Sequence, residues 1–463
     1  MHLDIDVRRV RGLTDDERRD FYELLKVFDK HRHANRTKMR YYEGRIPLSE
    51  VNIGIALPKG HLSGLEIGCA WGAKCVDVLA ARSMFDGFVG EDGNSIEELN
   101  NVVRANNLIA QYHQAARDEL KLGCTFATLS ADKTLGCKIR FHSAATAAGL
   151  WDGDKGRIKC GFAIIDTAPD NYEEWKPSLI YYYTDTSVIA LSRVDRDWNA
   201  ERYTHKMGRP LMEPLVYNAT SAKPFGRSRL KEPVRRLIQG YVRTIANATI
   251  GLEFSTSPQK YLLGVSDDMY DALINQKFKQ YVGNILAATP NPETGEKPTF
   301  GQLPQGNISA HVEMLRILST QFGAATGLTV TDTGVVNDAN PTSSDAILAQ
   351  SQTLVSLAQE LNTANGDSLR TIALMALAIA RKTTIADLAP EDLNVVAHFK
   401  NPAMPSVAVT ADAAIKIASV RQGFAETDTF LEMIGFDQAD IRRIRAQESR
   451  VRGMAVLEGL NIE

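Results

Sequence analysis

A chain of 463 residues, 44% hydrophobic and 24% charged, holds enough apolar material to bury the cores of two to four domains. Its 53 basic and 56 acidic residues leave a formal net charge of -3, which excludes the wholesale basicity of a protein that coats nucleic acid and makes any DNA contact a local one. Cys69, Cys75, Cys124, Cys137 and Cys160 form no C-x-x-C pair and read as reduced thiols, no apolar run reaches the roughly 18 to 20 residues of a membrane span, and MHLDIDVRRV has no signal-peptide core, so the expectation is synthesis in the cytoplasm and no membrane.

Thr14-Asp15-Asp16-Glu17 is a capping box, and Phe21, Leu24, Leu25 and Phe28 follow on one face, predicting a helix over about 14–32 that runs into Arg40-Tyr41-Tyr42-Glu43-Gly44. A second box, Ser95-Ile96-Glu97-Glu98, opens one longer helix with Leu99, Val102, Val103, Ile109, Ala116 and Leu120 in line, stopped by Gly123. From Cys124 to about Asn218 the pattern changes to short β-rich runs (CTFATLS, CKIRFHS, RIKCGFAIID, SLIYYYT, TSVIALSR, EPLVYN), which predict an antiparallel, meander-like sheet attached to helices. Trp151-Asp152-Gly153-Asp154-Lys155-Gly156 reads as a turn between two of these strands, since the further acids of a calcium loop are missing.

Beyond Pro224, Leu230, Val234, Leu237, Ile238, Tyr241 and Ile245 predict a helix over about 228–250, flanked by Arg227, Arg229, Lys231, Arg235, Arg236 and Arg243 against Glu232 alone. The punctuated loop ATPNPETGEKPTFGQLPQGN follows, and Asn307 is placed to cap a helix bearing Ile308, Val312, Leu315, Leu318 and Phe322. Next comes GLTVTDTGVVNDANPTSS, a loop long enough to suggest function. Ser344 to about Lys382 is proline-free and Ala/Leu-rich, a helix of roughly 55 Å if Gly366 does not break it. The remainder, from about Thr410, reads as small helices with a basic stretch Ile441-Arg442-Arg443-Ile444-Arg445.

Evidence for catalysis is thin. Leu65-Glu66-Ile67-Gly68-Cys69-Ala70-Trp71-Gly72 resembles the first glycine-rich motif of S-adenosylmethionine-dependent methyltransferases, but its middle glycine is Ala70, the preceding HLSG is too polar for a buried parallel strand, and no series of βα units follows. The phosphate-loop pattern G-x-x-x-x-G-K-[ST] and the G-x-S-x-G elbow are both absent. His31 and His33 lack the spacing and companions of a metal site and read as exposed histidines. No catalytic residue, metal or cofactor is expected. The basic helix is the one charge concentration suited to phosphates; a subunit contact is the first reading, DNA proximity the second, and a merely solvated face the plain alternative.

Several segments, in order, resemble the portal proteins of long-tailed double-stranded-DNA bacteriophages. Asn35-Arg36 with Tyr41-Tyr42-Glu43-Gly44 is similar to the family's entry segment, and Ala70-Trp71 through Gly87-Phe88 to its early wing helix. Gly226-Arg227-Ser228-Arg229-Leu230 and Ser257-Pro258-Gln259-Lys260-Tyr261 resemble the opening and closing of the first stem helix, and Pro298-Thr299-Phe300-Gly301-Gln302 with Asn340-Pro341-Thr342-Ser343-Ser344-Asp345-Ala346-Ile347 the later block.

The resemblance implies an α+β fold of portal architecture, with a helical stem, a long spine helix, an α/β wing, a small clip and a helical C-terminal crown, assembled as a ring of usually twelve subunits. The expected parts are wing 1–225, stem helix 226–252, clip 253–303, second stem helix 304–325, tunnel loop 326–343, spine helix 344–395 and crown 396–463. By the same resemblance Thr329, Thr331, Asp332, Thr333, Asn337, Asp338 and Asn340 would face the channel, and Arg229, Lys231, Arg235, Arg236 and Arg243 would be stem contacts between subunits or near DNA. The implied role is non-enzymatic: a conduit for packaging and ejecting double-stranded DNA at one capsid vertex of the virion. Its implied partners are the terminase large subunit, head-completion or adaptor proteins, and major capsid and scaffold proteins. A soluble enzyme such as a methyltransferase, or an adaptor or scaffold protein that forms no ring, are the competing classes.

Overall fold

The computed structural model describes residues 3, 5–46, 67–90, 96–169, 175–194, 197–256, 260–263, 295, 297, 299–302, 308–329, 331–334, 344–403, 407–421, 423–436 and 438–460. Its helices are α1 (Asp15–Tyr42), α2 (Trp71–Ala80), α3 (Glu97–Ala105), α4 (Leu108–Leu122), α5 (Glu232–Thr256), α6 (Ser309–Thr326), α7 (Ser344–Ala380), α8 (Pro390–Leu393), α9 (Val407–Val420), α10 (Asp428–Ile434) and α11 (Gln438–Leu460). The strands are β1 (Val10–Arg11), β2 (Phe85–Val89), β3 (Cys124–Asp132), β4 (Gly136–Ser143), β5 (Ala147–Asp152), β6 (Arg157–Pro169), β7 (Trp175–Tyr183), β8 (Ser187–Val194), β9 (Asp197–Thr204), β10 (Met212–Val216), β11 (Lys260–Leu263), β12 (Thr299–Gln302) and β13 (Val396–Phe399). The fold is mixed α+β. None of the described helices is long and apolar enough to cross a membrane.

The chain divides into two compact units: Met1–Arg36, Val76–Ser228 and Thr342–Glu463 form one, Thr37–Cys75 and Arg229–Pro341 the other. This differs from an uninterrupted first part over 1–225, because the described residues 37–46 and 67–75 fall with the helices of the second unit.

In the first unit, β5 to β9 run as an antiparallel meander and β1 joins β9 in parallel, giving the order β1-β9-β8-β7-β6-β5. The first half of α1 covers one face of this sheet. Thr14 and Glu17 cap it reciprocally, with Glu17 Oε2 accepting from the Thr14 backbone N–H at 2.9 Å and Thr14 Oγ1 from the Glu17 N–H at 3.3 Å. Phe21 then packs on Phe162 and Tyr182, and Phe28 on Phe162, with ring centroids 5.2 to 5.9 Å apart. A second core joins α3, α4, the three-stranded sheet β10-β3-β4 and the buried side of α7, from Leu369 through Ile372 and Met375 to Ala378. All five cysteines are buried as thiols. Burial pushes the Cys69 thiol up to about 11 and that of Cys137 up to about 12, so neither is poised to react.

Several elements differ from expectation, each for a local reason. α1 continues to Tyr42, since nothing before Gly44, at φ +72°, interrupts it. The single helix expected after residue 95 is two, because Asn107 adopts a left-handed conformation (φ 51°) between them. Asn106 explains the break: its Nδ2 donates to the carbonyls of Val102 and Cys137, both at 2.9 Å, and its Oδ1 accepts from the Ile139 N–H at 2.8 Å. One side chain thus closes α3 and pairs with β4. Gly123 stops α4, donating to the Glu119 carbonyl at 2.7 Å. Strands β5 and β9 carry no clear alternation and escape sequence pattern; Gly153 to Gly156 make the turn after β5, closed by Asp152 Oδ1 on the N–H groups of Asp154 (3.1 Å) and Lys155 (3.2 Å).

α5 begins at Glu232 rather than about 228, because Pro233 has no N–H to donate and is tolerated in a first turn alone. α6 begins at Ser309 after Ile308; Asn307, its expected cap, lies outside the described residues, as does Ser95. α7 runs unbroken through Gly366, and its 37 residues span about 55 Å.

Candidate channel and subunit-contact surfaces

The residues singled out from the sequence fall in the second unit, where the end of α1, the start of α2, and α5 with α6 pack together. Gly240 of α5 gives α6 close access: a Cβ there would sit 3.1 Å from Leu318 Cδ2. The aromatic anchor is Trp71, whose ring lies between Tyr241 of α5 (4.5 Å) and Phe322 of α6 (4.7 Å). Its neighbour Gly72 meets the Tyr41 carbonyl so closely that a Cβ would lie 2.0 Å from the oxygen. Within the methyltransferase-like stretch, this glycine is required by helix packing. Gln239 donates to the Tyr41 hydroxyl, and the Arg235 guanidinium sits 5.9 Å from the Tyr41 ring centroid.

Arg229, expected as a surface contact, is a structural residue. It is 6% exposed and donates through Nε to the Cys75 carbonyl at 2.6 Å and through Nη2 to the carbonyl of Thr326. Thr326 ends α6, so the cation meets the negative end of that helix. Arg235 is half-buried, whereas Lys231, Arg236 and Arg243 are exposed. The pair Arg236–Glu232, at 3.2 Å, is solvent-screened and contributes little to stability. The exposed basic side chains are therefore Lys231, just before α5, and Arg236 and Arg243 on it. α6 adds exposed Val312 (46%), Met314 (44%) and Ile317 (45%), with Met314 and Ile317 three residues apart on one flank.

The loop after α6 starts as a folded structure. Gly327 takes the left-handed cap (φ 72°), and one 3-10 turn follows over Thr331–Thr333. Asp332 Oδ2 accepts from the Thr329 N–H (3.0 Å) and Oγ1 (2.8 Å). Thr333 does not project outward: it is 8% exposed, its hydroxyl shares a hydrogen bond with Ser319, and its carbonyl accepts from Trp71 Nε1 at 3.0 Å. Of Thr331 the backbone alone is described, and Asn337, Asp338 and Asn340 lie outside the described residues. Sequence reasoning missed Trp71 and Tyr41 as the anchors of this arrangement; the tight Trp71-Gly72 pair was the available signal. Among the described residues, no group of histidine, cysteine, aspartate or glutamate side chains could hold a metal ion.

This chain is similar to phage portal proteins along nearly its whole length. It is 23% identical over 452 residues to the portal protein of Mycobacterium phage D29, an alignment covering 94% of this chain and 90% of that protein. With the portal protein of Mycobacterium phage L5 the identity is also 23% over 452 residues, covering 94% and 89%. No family model matches the chain. Similar solved structures include a chain from the neck of a native gene transfer agent particle computed with C12 symmetry (TM-score 0.44, 11% identity, 79% of this chain and 89% of that one). Another comes from the neck of the empty particle computed with C6 symmetry (TM-score 0.45, 12% identity, 76% and 87%).

Proposed function

We propose that this portal-like chain assembles with copies of itself into a closed ring, twelve subunits by resemblance, that passes double-stranded DNA at one capsid vertex. The observation that carries the reading is the similarity, which extends over 94% of the chain rather than over one motif. In this reading the parts are wing 1–225, stem helices 226–252 and 304–325, clip 253–303, tunnel loop 326–343, spine 344–395 and crown 396–463. The role is structural, with ATP hydrolysis in a separate terminase large subunit that docks on the ring, alongside head-completion, capsid and scaffold proteins. The site of action is the virion.

The surfaces suit such a ring. A heterologous closed assembly needs two different faces on every subunit. The second unit offers exposed Lys231, just before α5, with Arg236 and Arg243 on it, and the exposed apolar pair Met314 and Ile317 on α6. The tunnel loop from Gly327 to Ser343 has no lysine or arginine, and a passage for sliding DNA requires contacts that do not accumulate phosphate affinity. Light scattering and negative-stain images of the purified chain test the reading. Particles about an order of magnitude heavier than one 51.0 kDa chain, with a central hole, are expected. A monomer that stays monomeric even with capsid and scaffold proteins added would overturn it.

A further inference from the structure

In the first unit α4 and α7 meet across buried polar side chains. Glu119 of α4 is 0% exposed, and Asn365 of α7 is likewise buried. Asn365 Nδ2 donates to Glu119 Oε2 at 2.8 Å and to the Tyr112 hydroxyl at 3.0 Å, which uses both of its hydrogens. Tyr112 shares a 2.7 Å hydrogen bond with Ser83 Oγ, and Ser83 donates to Asn362 Oδ1 at 2.6 Å. Two acceptors of the same pair are left over: Glu119 Oε1 and Asn365 Oδ1 are both buried and have no partner. An ionised carboxylate would leave both oxygens unsatisfied and a charge without a counterion, an arrangement folded proteins avoid. One proton satisfies both.

We propose that Glu119 is held as a neutral carboxylic acid whose Oε1–H donates to Asn365 Oδ1, closing a reciprocal acid–amide pair that clamps α7 to α4 and opens in alkali. Burial pushes the Glu119 carboxyl up to about 8, opposed by the Asn365 hydrogen bond, and no cationic side chain acts on it. The groups that face the cluster are Tyr112 of α4, itself pushed up by burial, Asn362 and Asn365 of α7, and Ser83 before β2. Because the folded carboxyl lies above its ordinary 4.5, its contribution to stability is complete below that pH, declines between 4.5 and about 8, and is gone above. In the folded state, loss of the proton sets a carboxylate oxygen against an amide oxygen. The inference does not depend on ring formation.

Glu119→Gln places an N–H where the acid has its O–H, so the pair survives without a proton. Thermal melting of the full chain from about pH 5 to about pH 9 is the test. The variant should lose the part of the decline in melting temperature that Glu119 contributes across this range, and the infrared carbonyl band of protonated carboxyls at about pH 6 should be weaker in the variant than in the wild type by the contribution of one group, the remainder being that of Glu213, which burial also raises to about 7. An unchanged pH profile in a folded variant would overturn the proposal. Should the variant not fold, the spectrum of a Glu213→Gln protein decides, since Glu213 is the other carboxyl that burial raises, to about 7: a protonated-carboxyl band present at about pH 6 and gone by about pH 9 supports the proposal, and its absence at the lower pH sinks it.

Discussion

The indole Nε1–H of Trp71 donates to the main-chain carbonyl of Thr333 at 3.0 Å, across 262 residues of sequence. A residue read from sequence as part of a cofactor-like motif is thus the strut under the loop that follows α6. Its ring is fixed on both sides by Tyr241 and Phe322, so the hydrogen bond starts from an immobilised donor.

Replacing Trp71 should therefore loosen the loop base along with the helix pair. Trp71→Ala is expected to cost about 3–5 kcal/mol of stability through the cavity it leaves. Trp71→Phe keeps much of the stack and loses the hydrogen bond, at about 1–3 kcal/mol. Amide exchange across residues 328–334 should quicken in both variants, and unchanged exchange in a folded Trp71→Phe protein would show that the bond does not anchor the loop.

Arg229 and Arg236 look equivalent in sequence and should behave oppositely. Arg229→Ala strands two buried carbonyls, of Cys75 and Thr326, and is expected to cost about 2–4 kcal/mol in chemical denaturation. Arg236→Ala removes a screened pair and should stay within about 0.5 kcal/mol. Equal losses in the two variants would contradict the assignment of Arg229 as the buried brace.

The exposed apolar pair Met314 and Ile317 on α6 gives a direct test of assembly. Met314→Asp with Ile317→Asp changes exposed positions, so the melting temperature of the single chain should hardly move. The population of large rings in light scattering should fall steeply. Rings that form as readily as in the wild type would remove this pair from the subunit contact.

Asn106→Ala should destabilise the first unit by about 2–4 kcal/mol, since it leaves the Ile139 N–H and the Cys137 carbonyl without their partner in a buried setting. Denaturant titration reads the loss directly. A change below about 0.5 kcal/mol would mean that α3 and α4 are separated by Asn107 alone.

Much of the architecture was legible because it depends on local chemistry. The capping box at Thr14 and Glu17, the apolar lines of α4, α5 and α7 and the stop at Gly123 are set by neighbours a turn apart. The β-rich runs between Cys124 and Asn218 declare themselves by composition. The order of motifs likewise pointed to portal proteins before any whole-length comparison.

Other features depend on atoms far apart in sequence, and no window of neighbours contains them. Asn106 divides a helix because β4 presents unpaired backbone groups to it; Gly72 is glycine because the Tyr41 carbonyl occupies the space of a side chain. Arg229 is buried while Arg236 is solvated, although the same basic stretch of sequence carries both, because the carbonyls of Cys75 and Thr326 converge on the first. Sequence by itself determined the longer helices, most of the strands between Cys124 and Asn218 and which family the chain resembles, since those follow from periodicity and order. Tertiary structure alone decided which charges are buried and which glycines are obligatory, because burial and steric exclusion arise from contacts between distant segments.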